Sequence, residues 1–344
     1  MVQCSGRRRR FAENASARLH CFETIPQQIM NRFRIRLTAT LVTLALCFGH
    51  GYAQNRTRIY ISTDNGHSWE PADAGFPLNA TVNDFSVFGN AIFAGTDANG
   101  VFVSRDGARN WKRTGQGLNE NLKINAVAST QEAILVGTGS DGVFASVDAG
   151  RTWQPARNGL TNLQIRRLAV DEERVFAGTN GGLFKSDDNG NSWSHLTGTG
   201  QINGITILKG NIYVADLQGV ILSTNRGRTW RRILETEVPH NLSNDGASVF
   251  AMLYNDGVKK TDDEGATWIS AQVGLPADLS QYTFQILHAN GVLFAGQWNG
   301  IYISTDSGAS WSPISQLPPN QPITDLIRLG DETIVAGAGL TPEE

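Results

Sequence analysis

Two acidic side chains stand in segments that otherwise read as packed β-strands. Asp84 and Asp325 each lie inside an alternating apolar run, where a packed strand prefers valine or isoleucine. Paired carboxylates are the acid and base of glycoside hydrolases, at separations of roughly 5 to 10 Å. Equivalent segments carry Arg166 and Arg167, which could form one charge cluster with Asp84 and Asp325. The residue types therefore leave two alternatives open, hydrolysis of a glycoside and binding of a ligand.

Other motifs that resemble catalytic or cofactor sites lack the neighbouring elements or residue spacing that such sites require. Residues 137–142 read Gly-x-Gly-x-x-Gly, but they lead from one expected strand into another, whereas a dinucleotide site needs a helix at this point. The histidines beyond residue 53 are scattered without metal-ligand spacing, and no nucleophile elbow occurs. We therefore expect no metal and no cofactor, and we assign no catalytic residue.

The strongest signal is a motif, Ser-x-Asp-x-Gly-x-Ser/Thr-Trp, that recurs seven times. Its tryptophans are 42, 42, 40, 37, 38 and 43 residues apart. Three copies deviate, with Ala108 for the glycine, Asn225 for the aspartate and Thr261 for the serine. The carboxylate position holds Asp64, Asp106, Asp148, Asp188, Asn225, Asp263 and Asp306.

Local chemistry gives this motif a structural role. An aspartate at a turn accepts backbone amide hydrogens, and glycine adopts the positive φ that the turn requires. The tryptophan that follows opens a strand and buries a large surface between neighbouring units. We therefore interpret the seven carboxylate positions as structural rather than catalytic or metal-binding.

Each interval of about 40 residues contains four short expected strands, which is the content of one propeller blade. The segment 58–69 supplies only a third and a fourth strand. The segments 323–327 and 333–337 supply only a first and a second. The sequence thus predicts an all-β fold, a single seven-bladed β-propeller of four-stranded antiparallel blades. A blade shared between the N- and C-terminal strands closes the ring and removes open edges.

Two rows of polar residues on the first strands are expected to line the mouth of the central channel. The turns between second and third strands share that loop face, and there Trp298 is an additional tryptophan beside Gln297. An exposed aromatic with polar neighbours suits a sugar ring or an apolar side chain of a partner. The candidate binding residues are Asp84, Asn125, Arg166, Arg167, His240, Asn241, Gln285, Asp325, Gln297 and Trp298.

The N-terminal residues read as an export signal rather than as part of the propeller. Residues 30–53 combine three arginines, an apolar run over 37–48 and a small residue before Gln54, which is typical of a signal peptide. An uncleaved anchor remains an alternative. Residues 1–29 are interpreted as an early start codon or a disordered extension, and 54–344 as the propeller.

The composition beyond the signal excludes several functions. All three cysteines lie within residues 1–53, so the remainder has no disulfide or thiolate site. The first 53 residues hold eight of the 29 Lys and Arg but two of the 32 Asp and Glu, which leaves a net charge of about -9. We expect a secreted or periplasmic monomer that binds neither nucleic acid nor an anionic membrane.

On these motifs, residues 56–340 resemble the Asp-box (BNR) repeat propellers. That resemblance covers sialidases, xyloglucan-type glycoside hydrolases, sortilin-like receptors and photosystem II assembly and stability factors. Seven regular blades with one box each are most similar to the assembly factors and their non-photosynthetic bacterial relatives. A sialidase would carry Arg-Ile-Pro where this chain has Arg58-Ile59-Tyr60. Xyloglucan-type enzymes use a cleft between two propellers, and this sequence predicts one.

The sequence therefore favours an exported, non-catalytic propeller that presents its loop face and channel mouth to a protein or glycan partner. The alternative is a sialidase-like glycoside hydrolase that uses the carboxylates of the channel mouth.

Overall fold

The computed structural model describes residues 58–198, 200–235, 238–254, 256–277, 283–318 and 320–340. The assignments of 1–29 and of the signal peptide at 30–53 lie outside these residues and stay predictions. Within the described chain, no helix is long and apolar enough to cross a membrane.

The described residues form seven four-stranded antiparallel sheets. Their strands in chain order are β1 (Ile59–Ser62), β2 (Glu70–Pro71), β3 (Val82–Phe88), β4 (Ala91–Thr96), β5 (Val101–Ser104), β6 (Lys112–Thr114), β7 (Ile124–Ser129), β8 (Ile134–Thr138), β9 (Val143–Ser146), β10 (Gln154–Pro155), β11 (Ile165–Asp171), β12 (Arg174–Thr179), β13 (Gly182–Ser186), β14 (Ser194–Thr197), β15 (Ile202–Leu208), β16 (Asn211–Asp216), β17 (Gly219–Ser223), β18 (Arg231–Glu235), β19 (Pro239–Asn244), β20 (Val249–Leu253), β21 (Gly257–Thr261), β22 (Ile269–Ser270), β23 (Gln285–Ala289), β24 (Val292–Gln297), β25 (Gly300–Ser304), β26 (Ser312–Pro313), β27 (Ile323–Leu329) and β28 (Thr333–Ala338).

Six blades take four consecutive strands, from β3–β6 (blade 1) to β23–β26 (blade 6). The seventh has the order β2-β1-β28-β27, so β1 from the start of the described chain pairs with β28 from its end. Ile59 faces Gly337 and Ser62 faces Ile334 in that pairing. The predicted seven-bladed fold and its closure by a shared blade are confirmed.

Each repeated box forms the predicted hairpin turn. In the first copy the Asp64 carboxylate accepts the backbone N–H of Ser68 at 2.8 Å and its hydroxyl at 2.5 Å. The hydroxyl of Ser62 donates to the same carboxylate and accepts the N–H of Gly66 at 2.7 Å. Asn225 reproduces these bonds with its amide, accepting the N–H of Thr229 at 2.9 Å. The structural interpretation of the boxes is consistent with this geometry.

The apolar core is divided into seams between blades. Buried side chains form clusters that each join two adjacent blades, such as Phe93 of blade 1 with Ile124 and Trp153 of blade 2. The box tryptophans close the outer edge of these seams. Trp111 donates its indole N–H to the carbonyl of Ala72 in the preceding blade at 2.8 Å. Blades therefore adhere through side chains and through short backbone bridges such as Ala74 with Asn110, while the ladders of the named strands stay within each blade.

Candidate functional site

A β-bulge at the start of the innermost strand decides what faces the channel. In blade 1, Val82 pairs with Thr96 and Asp84 pairs with Gly95, which leaves Asn83 as the extra residue. The same register shift occurs on the inner strands of blades 2, 3, 4, 5 and 7. A β-bulge redirects a side chain that the alternation of a regular strand would place on the opposite face of the sheet. Consecutive residues therefore reach the channel together.

These inner strands surround a central cavity of about 830 Å³. Its walls include both residues of a bulge in blades 1, 5 and 7, for example Asn83 with Asp84 and His240 with Asn241. The sequence prediction that both rows line the mouth thus has a backbone cause. Eight of the ten candidates line the cavity, namely Asp84, Asn125, Arg167, His240, Asn241, Gln285, Trp298 and Asp325.

The other two candidates lie elsewhere. Gln297 has no exposed surface, and its amide donates to the hydroxyl of Thr283 inside blade 6. It therefore supports its own blade and leaves the candidate binding surface. Arg166 is half-buried on β11 beside Arg167, where its Nε donates to Asn203 at 3.1 Å. The mouth also includes Lys123, which no repeat pattern singled out.

Several polar side chains near the mouth donate a hydrogen bond to a backbone carbonyl of the next blade, an arrangement that we call a clasp. The Asn83 amide donates to the carbonyl of Ile124 in the next blade at 2.9 Å, and Asn125 does the same to Ile165 at 2.8 Å. Asn203 donates in the same way to the carbonyl of Pro239, and Thr324 to that of Val82. Asn241, which lies one position later on its strand, donates to the carbonyl of Phe284. These bonds satisfy backbone carbonyls at the channel rim, so the polarity of the rim is largely structural.

Two blades lack this clasp among the described residues. Blade 3 has Arg166 at the clasp position and blade 6 has Phe284. In blade 5 the clasp moves to Asn241, so that His240 turns to the cavity and stacks on Tyr254 with ring centroids 4.9 Å apart. Among the described residues, the interruptions of this repeat of inter-blade bonds are thus confined to blades 3, 5 and 6.

The two acidic candidates meet in the channel. An Asp325 oxygen accepts the backbone N–H of Phe85 at 2.7 Å, and an Asp84 oxygen accepts that of Val127 at 2.7 Å. The Asp84 and Asp325 carboxyl groups lie close enough to affect each other's pKa. Glycoside hydrolases hold their carboxyl groups roughly 5 Å or more apart. In this chain both carboxyl groups accept backbone N–H groups across a seam between blades.

Burial sets the protonation of this pair. Removal from water raises the pKa of Asp84 to about 6, against hydrogen bonding from Val127 and the attraction of Arg167. Burial and then the neighbouring Asp84 charge raise the pKa of Asp325 well above its usual range. Two neighbouring buried carboxyl groups cannot both ionise without a large electrostatic cost, so one proton stays between them. Arg167 faces this pair and offsets its remaining charge.

The turns that surround the mouth divide into two kinds. In blades 1, 2 and 3 they begin with a threonine that donates its hydroxyl to a glycine carbonyl, as Thr96 does to Gly100 at 2.8 Å. In blades 4, 5 and 6 the equivalent turns carry Leu217, Tyr254 and Trp298, which we name the apolar arc. Leu217 and Tyr254 are 49% and 46% exposed. Trp298 stacks on Phe284 with ring centroids 6.1 Å apart.

Sequence reasoning identified Trp298 but not the other members of the apolar arc. Leu217 and Tyr254 occupy the turns that the sequence placed on the loop face, and their apolar character was the available signal. Across the described residues, no group of three or more His, Cys, Asp or Glu side chains is placed to hold a metal ion.

Comparison with protein families agrees with this geometry. Residues 60–71 match the model of the BNR/Asp-box repeat. The chain is a seven-bladed β-propeller with a matching Asp-box repeat. Residues 110–261 also match a model described as the DUF6242 beta propeller domain. A search of curated proteins finds no match.

Solved structures similar to this propeller include a protein solved with a bound peptide and glycoside hydrolase enzymes. The extracellular domain of BT4673 from B. thetaiotaomicron has a TM-score of 0.64 at 16% identity, over 77% of this chain and 38% of that one. YCF48 from Cyanidioschyzon merolae has 0.58 at 14%, over 77% and 96%. The GH74 enzyme of Niastella koreensis has 0.55 at 17%, over 75% and 43%. At these identities the likeness shows the fold alone.

Proposed function

We propose that this chain is an exported, non-catalytic propeller that binds a protein or glycan partner through its loop face and channel mouth. The observation that carries the proposal is the apolar arc. Apolar or aromatic side chains occupy one turn position in blades 4, 5 and 6, and two of them, Leu217 and Tyr254, are exposed. The equivalent turns of blades 1, 2 and 3 are polar and hydrogen-bonded within themselves. Clustered aromatic and aliphatic side chains at the rim of a cavity mark interaction sites.

Export is supported by the sequence of residues 30–53 and by the absence of cysteine from residue 54 onwards. A similar propeller, YCF48, was solved bound to a D1 peptide, which shows that this architecture accommodates a peptide ligand. The enzyme alternative has less support because Asp84 and Asp325 accept the backbone N–H groups of Val127 and Phe85 in neighbouring blades. A carboxyl pair so engaged is not positioned to flank a sugar.

Binding is tested with the purified protein immobilised on a sensor and challenged with a glycan array and with an extract of the host's exported proteins. The variant Leu217→Ala/Tyr254→Ala removes two exposed members of the arc. Its matched control is Val147→Ala, which removes a 79% exposed apolar side chain from a box turn on the opposite face. We expect the arc variant to lose at least tenfold in affinity for the captured partner and the control to retain it.

Two results would refute the proposal. Equal loss in the arc variant and in Val147→Ala would show that capture is nonspecific hydrophobic adhesion. Turnover of aryl-glycosides or sialyl substrates by the wild type, abolished by Asp84→Asn, would establish the hydrolase alternative instead.

A further inference from the structure

We infer that Arg166 anchors an anion-binding site on the loop face beside the channel mouth, and that its ligand is a carboxylate of the protein partner. The inference rests on the proposed function, because it names the chemistry that the same face recognises. It adds a site, a residue and a charge to a surface so far defined by apolar contacts.

The internal repeat provides the first argument. The bulge position holds an asparagine or threonine clasp in blades 1, 2, 4 and 7. In blade 3 it holds Arg166, and no side chain of the described residues clasps Ile202, the equivalent carbonyl in blade 4. Blade 3 therefore lacks the hydrogen bond to the next blade that its counterparts make. A substitution that weakens the ring and adds a cation needs a reason outside the ring.

The surroundings of Arg166 provide the second argument. Its Nε donates to the Asn203 oxygen, which also accepts from Gln201 at 2.6 Å, while the Asn203 amide is held by Pro239. One edge of the guanidinium is thereby fixed. Within the described chain, no carboxylate lies within 4 Å of it, and its terminal amino groups have no protein acceptor. The edge of the Arg166 guanidinium that carries the terminal amino groups is therefore held in one orientation and is open to a ligand.

The charge balance provides the third argument. Burial lowers the pKa of Arg166, and the like charge of Arg167 lowers it further. Arg167 itself is attracted to Asp84 and Asp325 and is compensated by them. Arg166 has no such partner, so it is a half-buried cation whose free energy improves when an anion arrives.

The neighbours of this site select a protein carboxylate. A guanidinium edge matches the two oxygens of a carboxylate in a bidentate pair. Tyr254 lies close enough to Arg166 to affect its pKa, so the apolar arc adjoins the site. The arc includes the aliphatic Leu217, which packs against an apolar side chain better than against the polar edge of a sugar. An aspartate or glutamate next to an apolar residue fits both features.

The test compares two probes by titration calorimetry on the purified protein at low salt. They are acetyl-aspartyl-phenylalanine amide and its neutral counterpart, acetyl-asparaginyl-phenylalanine amide. The key variant is Arg166→Asn, which restores the clasp residue of the other blades. We expect the wild type to bind the aspartyl probe at least tenfold more tightly than the asparaginyl probe. We expect Arg166→Asn to bind both equally.

The same variant gives a second readout that a merely structural arginine would not produce. Restoring the clasp and removing a half-buried cation should raise the Tm of the free protein by about 2 °C. The matched control is Arg157→Asn. Arg157 lies on the same face, where one of its terminal amino groups donates to the carbonyl of Asp141 at 2.9 Å and is thereby engaged, unlike those of Arg166. We expect this control to keep the tenfold preference.

Three results would overturn the inference. They are no preference for the aspartyl probe, a preference that survives Arg166→Asn, and a lower Tm in Arg166→Asn. Tighter binding of N-acetylneuraminic acid than of the aspartyl probe would assign the site to an acidic glycan instead. Failure here with retained loss of partner binding in Leu217→Ala/Tyr254→Ala would leave the proposed function standing without the anion site.

Discussion

The Asp325 carboxylate accepts the backbone N–H of Phe85 at 2.7 Å across 240 residues of sequence. Asp325 belongs to the shared blade and Phe85 to blade 1, so this bond spans the seam at which the ring closes. Asp84 repeats the arrangement one seam further, on Val127. The residues that the sequence offered as an acid and a base thus fasten three consecutive blades.

Removal of the Asp325 carboxyl should therefore destabilise the ring. Asp325→Ala leaves the N–H of Phe85 buried without an acceptor, which costs about 1–3 kcal/mol of unfolding free energy. Asp325→Asn keeps an acceptor oxygen and should lose less. Urea unfolding of the two variants checks this order. An alanine variant as stable as the asparagine variant would contradict the role of Asp325 at the seam.

Stability should depend on pH in two windows of opposite sign. The pKa of Asp84 is raised to about 6 by burial, so its contribution is complete below the unfolded value near 4 and is lost as pH rises through 6. Turn hydrogen bonds lower the pKa of Asp64 to about 2, so its contribution is present above pH 4 and is lost as pH falls through 2. The four boxes with a pKa of about 2 are Asp64, Asp148, Asp263 and Asp306.

Urea midpoints measured from pH 2 to pH 8 check these windows. We expect a maximum near pH 4 to 5 and a decline on both sides. In Asp84→Asn the decline between pH 4 and 7 should flatten while the acid limb stays. A wild-type profile that rises steadily from pH 4 to pH 8 would show that the carboxyl pair does not share a proton.

The deviating box of blade 1 should be less stable than its counterparts. Ala108 holds a φ of 71°, a conformation that favours glycine. Ala108→Gly should stabilise the protein by about 0.5–1 kcal/mol. The reverse change in blade 2, Gly150→Ala, should destabilise it by more than that, because the new Cβ would lie 2.5 Å from Phe93.

Blade 1 tolerates its alanine because the preceding blade has a smaller side chain there. Val335 takes the place that Phe93 occupies opposite Gly150, and Ala108 and Val335 share one buried cluster. Val335→Phe should therefore be more destabilising with Ala108 than in an Ala108→Gly background. Thermal unfolding of the double-mutant cycle measures this coupling, and strict additivity would contradict the contact.

Asn125 should behave as a clasp. Asn125→Ala removes the amide that caps the carbonyl of Ile165, and we expect a loss of about 1 kcal/mol in unfolding free energy. Affinity for the partner captured in the array or extract should change by less than twofold, since Asn125 is engaged within the ring. A tenfold loss of affinity at unchanged stability would return Asn125 to the binding surface.

The sequence by itself determined the repeat and hence the fold. The box residues act on their own turns: Asp64 bonds atoms within four residues of itself, so its role is readable from local spacing. Tryptophans at regular intervals marked the blades, and the incomplete repeats at both ends predicted that β1 pairs with β28. The same alignment placed the polar rows of the first strands around the channel.

Tertiary structure alone decided which of those polar residues are free. Asn125 and Arg166 occupy equivalent positions in sequence, yet one bonds a carbonyl 40 residues away and the other leaves its guanidinium edge open. Asp84 and Asp325 are far apart in the chain, and their contact follows from closure of the ring. Gln297 and Trp298 are adjacent, but one is buried in its blade and the other lines the cavity. Such differences depend on what neighbouring blades place opposite each side chain, and no local pattern records that.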